Sequence, residues 1–192
     1  QADDKPTPEA QRESMASFMD IAKRNGVRVL ATDYCSGKAN VDDSYARSAA
    51  KGYLSFAADH RDLDDIPTYP ALPYDLNSNN ITTLAEAKNF LYIINPGAFA
   101  DKAAFLSALR ATNFDVIIMD MFFEDQTLSK SEIASLKTKA NGGSRLVVSY
   151  MSIGEALERC PTLHLVGTET GCGWVPYYLE QRGDNFLRHR FY

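Results

Sequence analysis

The chain has 192 residues, 45% of them hydrophobic and 23% charged, enough to bury one sizeable core as a single domain. A formal net charge of −5 and the lack of any basic run argue against a nucleic-acid backbone as partner. No apolar run reaches the roughly 18 residues of a membrane span, no signal-peptide pattern is read in these residues, and Cys35, Cys160 and Cys172 form neither a paired framework nor a CxxC spacing.

The opening "QADDKPTPEAQRE" reads as the interior of a longer protein. "TPEAQRESMASFMDIAKRNG" then places Met15, Phe18, Met19 and Ala22 on one helical face. Thr7 is its expected N-cap, Pro8 its first helical residue and Gly26 its stop. "VRVLATDY" follows as a strand ending at Asp33 and Tyr34, "VDDSYARSAAKG" as a helix, and "YLSFAADHR" as a second strand ending at Asp59. The prolines of "DLDDIPTYPALPYDLNSNN" exclude regular structure, so residues 60–82 are expected to form a linker or a functional loop.

Alternation then resumes. "KNFLYIINP" is a third strand, and "DKAAFLSALRATN" a helix with Ala104, Leu106 and Leu109 among its apolar positions. "FDVIIMDMFF" is a fourth strand ending at Asp120, and "SKSEIASLKTKANGG" a helix with a Ser129/Glu132 capping box and Gly142 as terminator. "RLVVSYMSIGEA" supplies a fifth strand, expected to be buried on both faces and to deliver Tyr150, Ser152 and Glu155 to its exit. Five strands alternating with helices predict an α/β protein with a parallel sheet, either barrel or open. No Gly-rich dinucleotide or phosphate-binding motif follows any strand, and no cofactor is implied.

What recurs is a carboxylate after each strand. Asp33, Asp59, Asp120 and Glu155 would converge on one mouth in a barrel, where ligands bind at the carboxyl ends of the strands. Glycosidases need two carboxyl groups, one acid and one nucleophile or base, and tyrosines such as Tyr34 and Tyr150 can stack on sugar rings. Each carboxylate taken singly is more often a helix cap or an arginine partner. Cys35 reads as an inert, partly buried thiol, and His60 as a loop histidine bonded to its neighbours.

"VLATDYCSGKANVDDSYARSAAKGYLSFAADHRDLDDIP" and "TNFDVIIMDMFF…LKTKANGGSRLVVSYMSIGEA" resemble the TIM-barrel family typified by endo-α-1,4-polygalactosaminidase, glycoside hydrolase family 114, over roughly residues 8 to 156. The resemblance implies a (β/α) barrel acting on galactosamine-containing or related polysaccharides, and an extracellular or cell-envelope location. The segment order is unusual for the family, as in a circularly permuted and truncated relative with about five parallel strands, residues 60–82 spanning the permutation point within a domain of residues 1–156. On this reading Asp120 and Glu155 are the catalytic candidates, and Asp33, Tyr34, Asp59, Tyr150 and Ser152 contact a polysaccharide or oligosaccharide.

The tail, residues 157–192, departs from the family pattern and holds the only tryptophan with two of the three cysteines and two of the three histidines. It is expected to be a shifted reading frame, packed loosely or poorly ordered, or a fragment of a longer protein. Cys160, His164, Cys172 and His189 fit no zinc spacing, so no metal site is expected there. Without the family's middle strands the chain could also be a non-catalytic α/β module that binds sugar or protein, and its open sheet edges would favour self-association.

Overall fold

Strands and helices alternate through residues 3–150, the part of the chain that the computed structural model describes. In chain order they are α1 (Glu9–Arg24), β1 (Leu30–Tyr34), α2 (Lys38–Lys51), β2 (Leu54–Ala58), β3 (Phe90–Ile93), α3 (Lys102–Arg110), β4 (Val116–Met119), β5 (Phe122–Phe123), β6 (Gln126–Thr127), α4 (Lys130–Leu136) and β7 (Leu146–Ser149). β1 pairs with β2 in parallel, and β3, β4 and β7 form a second parallel sheet. β2 lies beside β3 without joining its ladder. The molecule is thus a mixed α/β structure with parallel strands in small sheets, and the described residues do not close a barrel.

The single five-stranded sheet expected from the sequence is divided at the β2–β3 boundary. There the Leu63 carbonyl, from the loop after β2, accepts from the amides of Ile94 (3.0 Å) and Asn95 (3.2 Å) just past β3. The short antiparallel hairpin of β5 and β6 was also not expected; two strands of two residues carry no readable alternation.

Residues partnered in a parallel ladder point the same way, which sorts the strands into two faces. One face carries Leu30, Thr32 and Tyr34 with Leu54, Phe56 and Ala58, and continues through Phe90 and Tyr92, Val116 and Ile118, and Leu146 and Val148. The Phe56 and Phe90 rings, 5.8 Å apart, join the two sheets on it. On the other face Ala57 packs with Cys35 against Val41 and Tyr45 of α2. Phe56, Phe90, Leu91, Ile93, Phe105, Leu109 and Ile117 are fully buried, each stabilising the fold by roughly 1.5–3 kcal/mol.

β7 corrects the expectation of burial on both faces: Leu146 and Val147 are half-buried and Val148 is 42% exposed. Among the described residues β7 has β4 on one side only. In α3 the buried residues are Phe105, Leu106 and Leu109, while Ala104 faces solvent. α4 begins on the expected Ser129/Glu132 capping box but ends at Leu136, well before Gly142. Thr138 leaves the helix to bridge Ser144, and Gly142, at φ 90°, closes the intervening turn.

α1 is the least integrated element. Its N-cap is Pro8 rather than Thr7, with no side-chain cap, and only Ala16 is buried. Met15, Phe18 and Ile21 are exposed, and a cleft of about 760 Å³ lined by Met15, Met19, Leu30, Ala31 and Tyr53 runs between the helix and β1. Its anchor is polar: the Tyr53 hydroxyl donates to Asp20 (2.5 Å), which also takes Lys51 (2.9 Å).

Residues 60–82 are irregular, as their prolines require, yet they belong to the same body as the strands. Leu63, Asn77 and Ile81 are buried, and Leu63 and Ile81 join the main core. A buried ion pair pins this stretch. Lys139 Nζ reaches Asp115 (2.9 Å) and the carbonyls of Asn77 (2.6 Å) and Asn79 (2.8 Å), spending all three ammonium protons. The second Asp115 oxygen accepts from Asn77 Nδ2 (3.0 Å) and the Lys88 amide (2.9 Å). This network sits beside the amino ends of β3 and β4. No helix among the described residues is long and apolar enough to cross a membrane.

Candidate functional site

The opposite end of the strands gathers the ionisable and aromatic groups. β2 leads directly into Asp59-His60-Arg61-Asp62-Leu63-Asp64-Asp65, with four carboxylates in seven residues. A loop so charged would be mobile unless tied down, and three contacts tie it. Leu63 is buried at a positive φ of 52°, its carbonyl holds the end of β3, and Asn95 Nδ2 donates to the Asp62 carbonyl (2.6 Å). A non-glycine residue in the left-handed region persists only where its surroundings over-determine it, as the core does for Leu63.

This loop folds its carboxylates around His60. Nδ1 lies 2.6 Å from Asp59, and Nε2 bonds Asp64. The Asp64 hydrogen bond, with the Asp59 charge, raises the imidazole pKa above its ordinary 6.5 and favours the doubly protonated ring. Asp65 is shifted upward as well, first by burial and then by the adjacent Asp59 charge, with a hydrogen bond shared between the two carboxyl groups. Asp65 is therefore a carboxylic acid kept protonated to higher pH than a free one, the property a general acid requires.

Beside this loop stand three tyrosines, one each from β1, β3 and the end of β7. The Tyr92 and Tyr150 rings are 6.0 Å apart and tilted by 57°. Burial, then the neighbouring Tyr150 and Tyr34, push the Tyr92 hydroxyl up to about 12. Tyr150 is placed by its amide, which donates to the Met119 carbonyl (2.7 Å) and continues the β4–β7 ladder so that Tyr150 stands beside Asp120. Tyr34 carries the Arg61 guanidinium 5.0 Å above its ring.

The residues singled out in the sequence are thus divided. Tyr34, Asp59 and Tyr150 lie at this end of the strands, and Asp120 follows Ile118 on the face that carries Tyr92. The Asp120 carboxylate accepts from the Phe122 amide (3.1 Å), which turns the chain into the β5–β6 hairpin. Asp33 points the other way: it shares a face with Ala57 and accepts from Ser44 of α2 (2.6 Å), so its carboxylate serves helix packing. Ser152, Glu155 and the tail from residue 157 lie outside the described residues. Cys35 is buried, and burial pushes its thiol up to about 11, which leaves it inert.

Asp64, Asp65, Arg61 and Tyr92 were not singled out by sequence reasoning. The signal was the acidic density of "DHRDLDD" directly after a strand, which reads equally as the start of a solvated loop. Asp59, His60 and Asp65 bring their ligating atoms within 4.8 Å of one another, a spacing a divalent cation could use. No protein-family model, curated protein or solved structure matches this chain.

Proposed function

We propose that this chain is a carbohydrate-active domain of glycoside-hydrolase type, built as a partial (β/α) barrel, that takes a galactosamine-containing or related polysaccharide at the carboxyl ends of its strands. The observation that carries this reading is that the acidic loop Asp59–Asp65, which holds Asp65 with its raised pKa, reaches the row of Tyr34, Tyr92 and Tyr150 through Arg61 on the Tyr34 ring. Tyrosine faces bind the apolar faces of sugar rings, and a protonated carboxyl can protonate a glycosidic oxygen. The second carboxyl group is assigned to Asp120, at the exit of β4, or to Glu155.

The sequential placement of the strands, β1 beside β2, β2 beside β3, then β4 and β7, fits a segment of a barrel better than a doubly wound sheet, whose strand order reverses at a switch point. A non-catalytic sugar-binding module is favoured by a different observation. Carboxylate oxygens of Asp59 and Asp65 lie within 4.8 Å of one another, closer than the roughly 5 Å or more that separates the two carboxyl groups of a glycosidase. Asp59 is therefore the partner that tunes Asp65 rather than the second catalytic group.

Calorimetric titration with an α-1,4-linked galactosamine oligosaccharide tests the reading. Binding by the parent protein that weakens at least about fivefold in Tyr92→Ala is the expected result, since stacking and burial of one ring contribute on the order of 1 kcal/mol or more. Absence of binding to the parent protein refutes it.

A further inference from the structure

The Tyr34 ring is covered by this chain's own Arg61, and Arg61 is held there from a distant part of the sequence. Asp3 grips the guanidinium as a fork, with Oδ1 2.7 Å from Nε and Oδ2 3.2 Å from a terminal nitrogen. Asp4 anchors the grip. One of its oxygens accepts from the amides of Ser36 and Gly37 (2.9 Å each), the other from the Ser36 hydroxyl (2.5 Å), while Asn40 Nδ2 donates to its carbonyl (3.2 Å). The Asp4 amide in turn donates to the Tyr34 carbonyl (3.3 Å). Asp3 and Asp4 both have positive φ, 53° and 58°, a backbone cost that two successive non-glycine residues accept only where their contacts repay it.

The two halves of this arrangement differ in strength. Asp4 is tied by several hydrogen bonds at the start of α2, where a carboxylate is favoured by the helix dipole. Asp3 and Arg61 are 62% and 56% exposed, so their ion pair is weak, screened by salt and quick to open. A firm anchor joined to a weak grip has the form of a latch.

We propose that Asp3 and Asp4 form a latch that holds Arg61 over Tyr34, so that a sugar ring must displace Arg61 before it can stack there. The proposal rests on the sugar-binding reading of the mouth. Opening requires only that Arg61 swing away from Tyr34; Asp4 stays in place and the strands do not move.

Two measurements on the full chain separate the latch from the sugar reading. Tyrosine nitration, located by peptide mapping, reads the cover on Tyr34 with no ligand present; calorimetry with the galactosamine oligosaccharide reads its consequence. Asp3→Ala and Arg61→Ala are expected to nitrate Tyr34 about three to ten times faster than the parent protein, and Asp3→Ala to bind the oligosaccharide several-fold more tightly. An unchanged Tyr34 nitration rate in Asp3→Ala overturns the latch whatever the sugar does. Faster nitration with unchanged affinity in a parent protein that binds sugar overturns its control of access. Faster nitration with no sugar bound by either protein overturns the sugar-binding reading, and with it the purpose assigned to the latch.

Discussion

Lys139 Nζ lies 2.9 Å from Asp115 Oδ1, and neither side chain has any exposure to solvent. The pair fastens the stretch around Asn77–Asn79 to the amino ends of the strands, while the other end of the same long connection presents the Asp59–Asp65 loop. Removing one partner leaves an uncompensated buried charge. Lys139→Met or Asp115→Ala is expected to destabilise the protein by about 3–5 kcal/mol in urea unfolding, while replacing both by apolar residues of similar volume costs much less. Equal losses in the single and double variants would show that shape, not charge, holds this corner.

Gly143 is required by the same corner. A Cβ there would stand 2.7 Å from the Ser78 carbonyl oxygen, 2.9 Å from that of Asn79 and 2.8 Å from Lys139 Cε. Two of the three are backbone atoms, and the Asn79 carbonyl is held by Lys139. Gly143→Ala is expected to cost about 1–3 kcal/mol, the ordinary penalty of overpacking, and Gly97→Ala, where a Cβ meets nothing, far less. Denaturation midpoints of the two variants check this.

His60 gives the site a pH dependence with a definite sign. Its folded pKa is raised above 6.5, chiefly by the Asp64 hydrogen bond and then by Asp59, so the folded state holds the proton more tightly than the unfolded chain. The stabilisation is fully present below about pH 6.5, the unfolded value, and is lost as pH rises through the higher folded value. An NMR titration, with the His60 signal assigned by its loss in His60→Gln, should give a midpoint above that of a free imidazole. Asp64→Asn should lower it. A midpoint below 6.5 would mean that burial outweighs the two carboxylates.

Much of the fold was legible because its signals are local. Parallel β1 and β2 follow from two apolar runs around a helix, and the Ser129/Glu132 box fixes the start of α4 within its own turn. What was not legible depends on residues far apart in the chain. Lys139 reads as one more surface lysine in "KTKANGG" until Asn77, Asn79 and Asp115 are seen around it. Phe18 reads as core from its helical spacing, yet it is exposed and Ala16 alone in α1 is buried.

The candidate site divides in the same way. That Tyr34, Asp59, Asp120 and Tyr150 end strands is visible from apolar runs alone. Strand polarity then sends Asp33, one residue before Tyr34, to the helix side, where Ser44 takes it. The raised pKa of Asp65 arises from a loop that turns back on Asp59, six residues earlier, and no periodicity encodes that turn.

The central claim is that Asp65 is a proton donor at a sugar-binding mouth, and hydrolysis of an α-1,4-linked galactosamine oligosaccharide, followed by release of new reducing ends, tests it most directly. The parent protein should cleave the substrate. Asp65→Asn, which keeps shape and hydrogen bonding but removes the proton, should lower the rate at least about a hundredfold, the low end for an acid/base group, with the unfolding midpoint nearly unchanged. Asp59→Asn, which removes the neighbouring charge, should instead shift the alkaline limb of the pH–rate profile to lower pH by lowering the Asp65 pKa. Full activity in Asp65→Asn, or no cleavage by a parent protein that binds the oligosaccharide, would contradict the account.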